Sequence, residues 1–142
     1  MIDKNIKLLK ILVVAGGWSD EREVSLMSGR NVFSTLKRDK FNVIFLDIKK
    51  NNIDQILIFK PDIIFNSLHG EFGEDGGINA YAQKNNILIT HSGAISSALC
   101  FNKRLLKHFL KNDPGPKIKP PGIHPVLRIL PDPEGILVIF SL

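Results

Sequence analysis

Hydrophobic residues fall along the chain in short blocks separated by polar, glycine-bearing turns. Residues 8–15 (LLKILVVA) are rich in β-branched and aliphatic side chains and stop at Gly16-Gly17, the composition of a buried strand. From 21 to 36 the spacing is that of a helix, with Asp20 placed to cap it and Glu23, three residues on, placed to complete a capping box. Residues 42–47 (NVIFLD) and 63–66 (IIFN) predict a second and a third strand. Between them, 54–59 predicts one or two helical turns halted before Pro61. Residues 78–84 predict a short helix, 87–90 a fourth strand, and 94–111 one last helical stretch.

Strand and helix alternating in this order predict βαβ units: an α/β, Rossmann-like parallel sheet with helices on both faces, covering residues 1–112. No internal repeat is evident. Residues 113–142 behave differently. Seven of the 8 prolines lie between Pro114 and Pro133, and proline removes a backbone donor and fixes φ, so the stretch reads as a linker or poorly ordered tail. The apolar run 136–140 (ILVIF) has strand composition but no following partner element. The expectation is one domain, then a linker, then a truncated tail.

Composition narrows the class. A chain of 142 residues, 44% hydrophobic and 23% charged, suits one soluble globular domain. A single cysteine, Cys100, cannot form an intramolecular bridge; it reads as core. Run 8–15 is interrupted by Lys10 and too short to span a bilayer, and no signal-peptide pattern precedes it, so the expected location is the cytoplasm, with no membrane partner. The formal charge of +5 is unevenly spread. Lys103, Arg104, Lys107, Lys111, Lys117 and Lys119 cluster against the single acid Asp113, a basic face suited to phosphate. Aromatic residues do not interleave with it for base stacking; Phe101 and Phe109 are spaced as core, and nucleic acid is not an expected partner.

In open α/β sheets ligands gather beyond the carboxyl ends of the strands. Three predicted strands end there in polar, glycine-bearing loops: 16–23 (GGWSDERE), 69–76 (HGEFGEDG) and 90–93 (THSG). In the first, the carboxylates can serve the helix macrodipole, or Glu21 can receive a ligand's ammonium group; the spacing leaves both open. Ser25, Ser28 and Gly29 share one small helix face, read as close approach to the sheet. The second loop is no phosphate-binding Walker loop and lacks metal-ligand spacing, so no metal site is expected. It is either a solvated glycine turn or a site in which His69 orients a carboxylate. His91 carries the same ambiguity, and His108 and His124 read as surface residues.

Taken together, Gly16-Gly17-x-Ser19-x-Glu21-Arg22-Glu23-Val24-Ser25-Leu26, then Leu68-His69-Gly70-x-x-Gly73-Glu74-Asp75-Gly76, then Thr90-x-Ser92-Gly93-x-x-x-Ser97-Ala98-Leu99-x-x-x-Lys103 resemble the N-terminal domain of D-alanine–D-alanine ligases. The resemblance runs from about residue 7 to about residue 112 and implies a pre-ATP-grasp fold. It also implies a cytoplasmic ATP-grasp enzyme of peptidoglycan precursor synthesis, in which ATP and Mg²⁺ activate one D-alanine carboxylate for attack by the amine of a second. By the same resemblance Glu21 holds the ammonium of the first D-alanine, with Val24 and Ser25 beside it. His69 sits by the reacting carboxylate, Gly70 and its loop shape the floor, and Lys103 reaches the ATP phosphates. Homodimers through this domain are a further implication.

Two positions depart from the family pattern. Trp18 stands where a small residue is usual and is expected to crowd the entry to the site; Asn102 stands where aspartate is frequent. Family members are more than twice this length, and the Mg²⁺ ligands belong to the part without a counterpart here. The chain alone is therefore expected to be inactive, phosphoryl transfer being a matter of positioning and charge neutralisation. The alternatives are a non-catalytic module complementing a separately encoded ATP-grasp half, and a generic Rossmann-like nucleotide binder, for which Gly16-Gly17-Trp18 is a poor fingerprint.

Overall fold

A computed structural model describes residues 8–112. The proline-rich segment, Lys117, Lys119, His124 and the 136–140 run lie outside the described residues. Four parallel strands form one sheet in the order β2-β1-β3-β4: β1 (Lys10–Gly16), β2 (Asn42–Ile48), β3 (Ile63–Asn66) and β4 (Leu88–Ile89). The helices are α1 (Arg22–Arg38), α2 (Gln55–Phe59), α3 (Gly77–Lys84), α4 (Ala94–Phe101) and α5 (Lys103–Asn112).

Alternation of side chains along the strands explains the two layers. Leu12 and Val14 of β1, Leu46 and Ile48 of β2 and Ile64 of β3 point to one face, where Ile56 of α2 and Ile78 and Ala82 of α3 close a buried cluster. The opposite face receives α1. A Cβ on Gly29 would lie 2.5 Å from that of Ala15, so the helix backbone approaches the small side chain of the central strand closely, as the small face of Ser25, Ser28 and Gly29 predicts. Phe33 of α1 meets Phe45 of β2 edge-on at 5.9 Å.

Several details differ from the sequence reading. Leu8 and Leu9 are exposed and precede β1, which runs on through Gly16. The capping box is not formed: Asp20 is exposed, Glu21 is the N-cap residue, and no side chain caps α1. Ser19 organises this turn instead, its carbonyl accepting from Arg22 N (3.2 Å) and its hydroxyl from Glu21 N (3.3 Å). The last helical stretch is two helices, because Asn102 turns to extended backbone (φ −90°, ψ 90°). Its Oδ1 accepts from Leu105 N at 3.0 Å, which caps α5. This is why asparagine serves where aspartate is frequent: both present the same acceptor. Cys100, Phe101 and Phe109, read as core, are exposed, since α4 buries none of its residues and packs on α3 and α5 rather than on the sheet. Among the described residues no helix is long and apolar enough to cross a membrane.

Candidate functional site

The parallel register delivers the ends of β1, β3 and β4 to one rim, and side chains stitch the loops that leave them. Beyond β1 the chain turns through two glycines at φ +90° and +83°, a region that favours glycine. It is held there by Gly17 N donating to Ile48 O at 2.9 Å. Ser25, fully buried on α1, accepts from Gly16 N (2.8 Å) and donates to Ser67 O (2.7 Å), joining the first loop to the end of β3. Its one hydroxyl proton is committed to that carbonyl, so Ser25 belongs to the frame of the site. Val24 stands half-exposed beside it.

Ser19 makes the second stitch, donating to the carbonyl of His69 at 2.7 Å. Directly after His69, Gly70 adopts φ +67°, and a Cβ there would lie 3.0 Å from Ser19 Cβ and 3.1 Å from Glu21 Oε2. Glu21 and the His69-Gly70 turn are thus neighbours on one rim. No hydrogen bond or ion pair among the described residues engages the Glu21 carboxylate, which is left open toward solvent.

The second loop is built rather than merely flexible. Asp75 accepts from Phe72 N (3.0 Å) and Gly77 N (2.9 Å), and Asn66 Nδ2 donates to Gly73 O (3.1 Å). Gly73 packs against the Leu68 backbone too closely for a side chain. Of the acids there, Glu74 faces the histidine, with 3.5 Å between Oε1 and His69 Nδ1. The third loop is tied to the others when Asn66 N donates to Thr90 Oγ1 (3.0 Å) and Asn79 Nδ2 to Ser92 O (2.6 Å). Within it His91 holds φ +92°, unusual for a non-glycine residue.

Between α1 and α4, over the ends of β3 and β4, lies an open cavity of about 810 Å³. His69, Glu74, His91 and Lys103 line it, together with Ser28 of α1 and Phe101 of α4. The cavity unites His69 with Lys103, residues 34 positions apart that the sequence reading placed in one site. Glu21, Val24 and Ser25 are not part of its wall; Glu21 stands on the adjoining rim, across Gly70. Trp18 does not line it either. Its indole packs on the α2/α3 side, 4.9 Å from the Phe72 ring and beneath Lys50 Nζ at 5.5 Å, so it leaves the entry clear of the crowding expected of it.

Two contributors escaped sequence reasoning. Arg22 Nη2 pairs with Asp47 Oδ2 at 2.7 Å, while its Nη1 donates to Gly17 O (2.9 Å) and Ile48 O (3.2 Å). The pair fills the space a Cβ on Gly16 would need, which gives that glycine a second reason besides its φ. The only signal in the sequence was an acid closing a strand otherwise made to be buried.

Polar loops gathered at the carboxyl edge of a parallel sheet, beside a cavity carrying histidine and lysine, form an α/β domain with the arrangement at which open sheets collect ligands. Its family follows from comparison with known proteins. Residues 10–58 match the family model described as D-ala D-ala ligase N-terminus. The chain is 44% identical over 104 residues to the D-alanine–D-alanine ligase of Pelagibacter ubique, a match covering 72% of this chain and 34% of that protein. To the ligase of Zymomonas mobilis it is 41% identical over 109 residues, covering 75% and 34%. The crystal structure of D-alanine–D-alanine ligase from Bacillus anthracis complexed with ATP superposes with a TM-score of 0.67 at 29% identity, over 75% of this chain and 35% of that one. The chain belongs to the D-alanine–D-alanine ligase family through this N-terminal domain, and spans about a third of the length of the curated relatives it matches.

Proposed function

We propose that this domain supplies the amino-acid-binding side of an ATP-dependent D-alanine–D-alanine ligase serving peptidoglycan precursor synthesis. The observation that carries this reading is the uncommitted Glu21 carboxylate beside Gly70, one residue from His69 and roofed by the Ser19–His69 tie. An unpaired carboxylate at a sheet edge suits an ammonium group, and a histidine beside it suits the carboxylate of the same zwitterion. In this reading Glu21 receives the ammonium of the first D-alanine, His69 orients its carboxylate, and the Gly70 turn lets the two approach. Val24 and Ser25 shape the turn from below.

Lys103 fits a phosphate, because it belongs to the same cavity wall as His69, where the γ-phosphate of ATP would meet the amino-acid carboxylate. ATP supplies the phosphoryl group that activates that carboxylate. Among the described residues no three histidine, cysteine or carboxylate side chains gather to hold a metal by themselves, and Mg²⁺ accompanying ATP would be held largely by the phosphates. These 142 residues by themselves are accordingly proposed to bind without turnover, and homodimerisation through this domain belongs to the same reading.

A second reading has an observation of its own. Leu105, Phe109 and Leu110 of α5 are each more than half exposed on one stripe of a strongly amphipathic helix, which suits a module completed by a separately encoded ATP-grasp half. Calorimetric titration with D-alanine, L-alanine and ATP, with a phosphate-release assay on the same sample, tests both. The expected result is D-alanine binding that Glu21→Gln abolishes, without phosphate release. Turnover by the 142 residues alone overturns the claim of inactivity, and D-alanine bound equally well by Glu21→Gln overturns the site.

A further inference from the structure

Glu21 and Arg22 are adjacent in sequence and carry opposite charges, yet no ion pair joins them. Their side chains straddle the end of β1. Glu21 lies toward the β3 side, against Gly70, whereas Arg22 lies toward the β2 side, against Asp47 and the carbonyls of Gly17 and Ile48. The Asp47 carboxylate has no other occupation among the described residues: Oδ2 meets the guanidinium, and Oδ1 is buried over Gly16 with no described hydrogen-bond partner. Leaving a carboxylate oxygen buried and unpaired is unfavourable, and the ion pair with Arg22 offsets that cost.

We infer that Asp47 is a positioning residue for the amino-acid site: by holding Arg22 on the β2 side it keeps that guanidinium off Glu21, so that the Glu21 carboxylate stays free for a substrate ammonium. The inference rests on the reading of Glu21 given above. The Arg22 guanidinium is a nearby competitor for that carboxylate, with a reach and a fork of donors that suit it. Two carbonyls alone cannot balance its charge, so without Asp47 the arginine turns to a neighbouring carboxylate; of the two adjacent in sequence, Glu21 and Glu23, Glu21 stands in the loop at the end of β1, whereas Glu23 lies within α1.

The test has two independent readouts on the full chain. The first needs no ligand: in a structure of Asp47→Asn, the Arg22 guanidinium should have left the β2 side and formed an ion pair with Glu21. A guanidinium still seated on Gly17 O and Ile48 O, or paired with Glu23 instead, overturns the inference. The second compares D-alanine with D-lactate, the same skeleton bearing a hydroxyl in place of the ammonium, by NMR titration. Asp47→Asn should weaken D-alanine by about fivefold, the scale of competition from a partly exposed ion pair, and leave D-lactate unchanged. Adding Arg22→Gln to Asp47→Asn should recover most of the loss, because the competitor is gone. Equal weakening of both ligands, or a double variant no better than the single one, marks a merely structural pair and overturns the inference. Glu21→Gln separates the two levels: if it leaves the preference for D-alanine intact, the reading of Glu21 falls and this inference with it.

Discussion

The hydroxyl of Ser19 donates to the carbonyl of His69 across 2.7 Å, joining residues 50 positions apart. This bond ties the turn that carries Glu21 to the backbone of His69. Ser19→Ala should cost about 1 kcal/mol of stability, the usual net worth of one hydrogen bond, and should weaken D-alanine binding as the two loops drift apart. Urea denaturation and NMR titration measure the two effects. A variant that loses stability with no change in binding would show that the tie serves the fold alone.

Ser25 should matter to the fold more than to the ligand. Its hydroxyl, buried on all sides, satisfies the Gly16 amide and spends its proton on Ser67. Ser25→Ala leaves both backbone groups unpaired, at a cost of about 2 kcal/mol or more. Gly16→Ala meets both a positive φ and the Arg22–Asp47 pair, and should destabilise by a comparable amount, about 2 kcal/mol. Denaturant midpoints rank the two against Gly93→Ala, whose added Cβ meets nothing and should be nearly silent.

Asn102 is predicted to be exchangeable with aspartate and with little else. Its Oδ1 caps α5 through Leu105 N. Asn102→Asp keeps the acceptor and adds a favourable charge at the helix N-terminus, so stability should hold or rise slightly. Asn102→Ala should lose about 1 kcal/mol of helix stability. Amide hydrogen exchange along 103–112 reads this locally. Exchange unaltered in the alanine variant would show the cap to be idle.

Tyr81 gives a pH prediction. Its hydroxyl is buried with no hydrogen-bond partner among the described residues, and burial, with Asp54 adding negative charge nearby, raises its pKa above 10.0. The folded protein therefore keeps the phenolic proton to higher pH than the unfolded chain does. Stability is unaffected by this group below about pH 10 and declines above it, as the unfolded chain ionises first. Tyr81→Phe should remove that alkaline decline and, by deleting an unsatisfied hydroxyl, should be neutral or stabilising at pH 7. Thermal melts of both proteins from pH 7 to pH 11 decide it; parallel curves would remove Tyr81 from the account.

Much of the architecture was legible because burial on both sides of a parallel sheet imposes a pattern that local composition cannot hide. The aliphatic runs ending near Gly16, Asp47 and Asn66 became β1, β2 and β3 within two residues at either end. Helix ends were read less well. Asp20 and Glu23 had the spacing of a capping box, but Ser19 captured the turn with its backbone and the box never formed. Asn102 looked like one more residue in a helical run until its side chain capped the next helix. Phe101, Cys100 and Phe109 looked like core because periodicity reports that a helix has an apolar side, not what that side faces.

The sequence by itself determined the order of strands and helices, the three glycine-bearing loops, and the residue types that suit an amino-acid zwitterion, since these depend on neighbours along the chain. Tertiary structure alone decided which loop touches which. It brought Ser19 onto His69, laid Glu21 against Gly70, turned Trp18 to the far side of the sheet, and drew Arg22 away to Asp47. Those outcomes depend on strand order and on which neighbour a charge finds in space. Coulomb attraction and hydrogen bonding act over a few ångströms, without regard to how many residues lie between the partners.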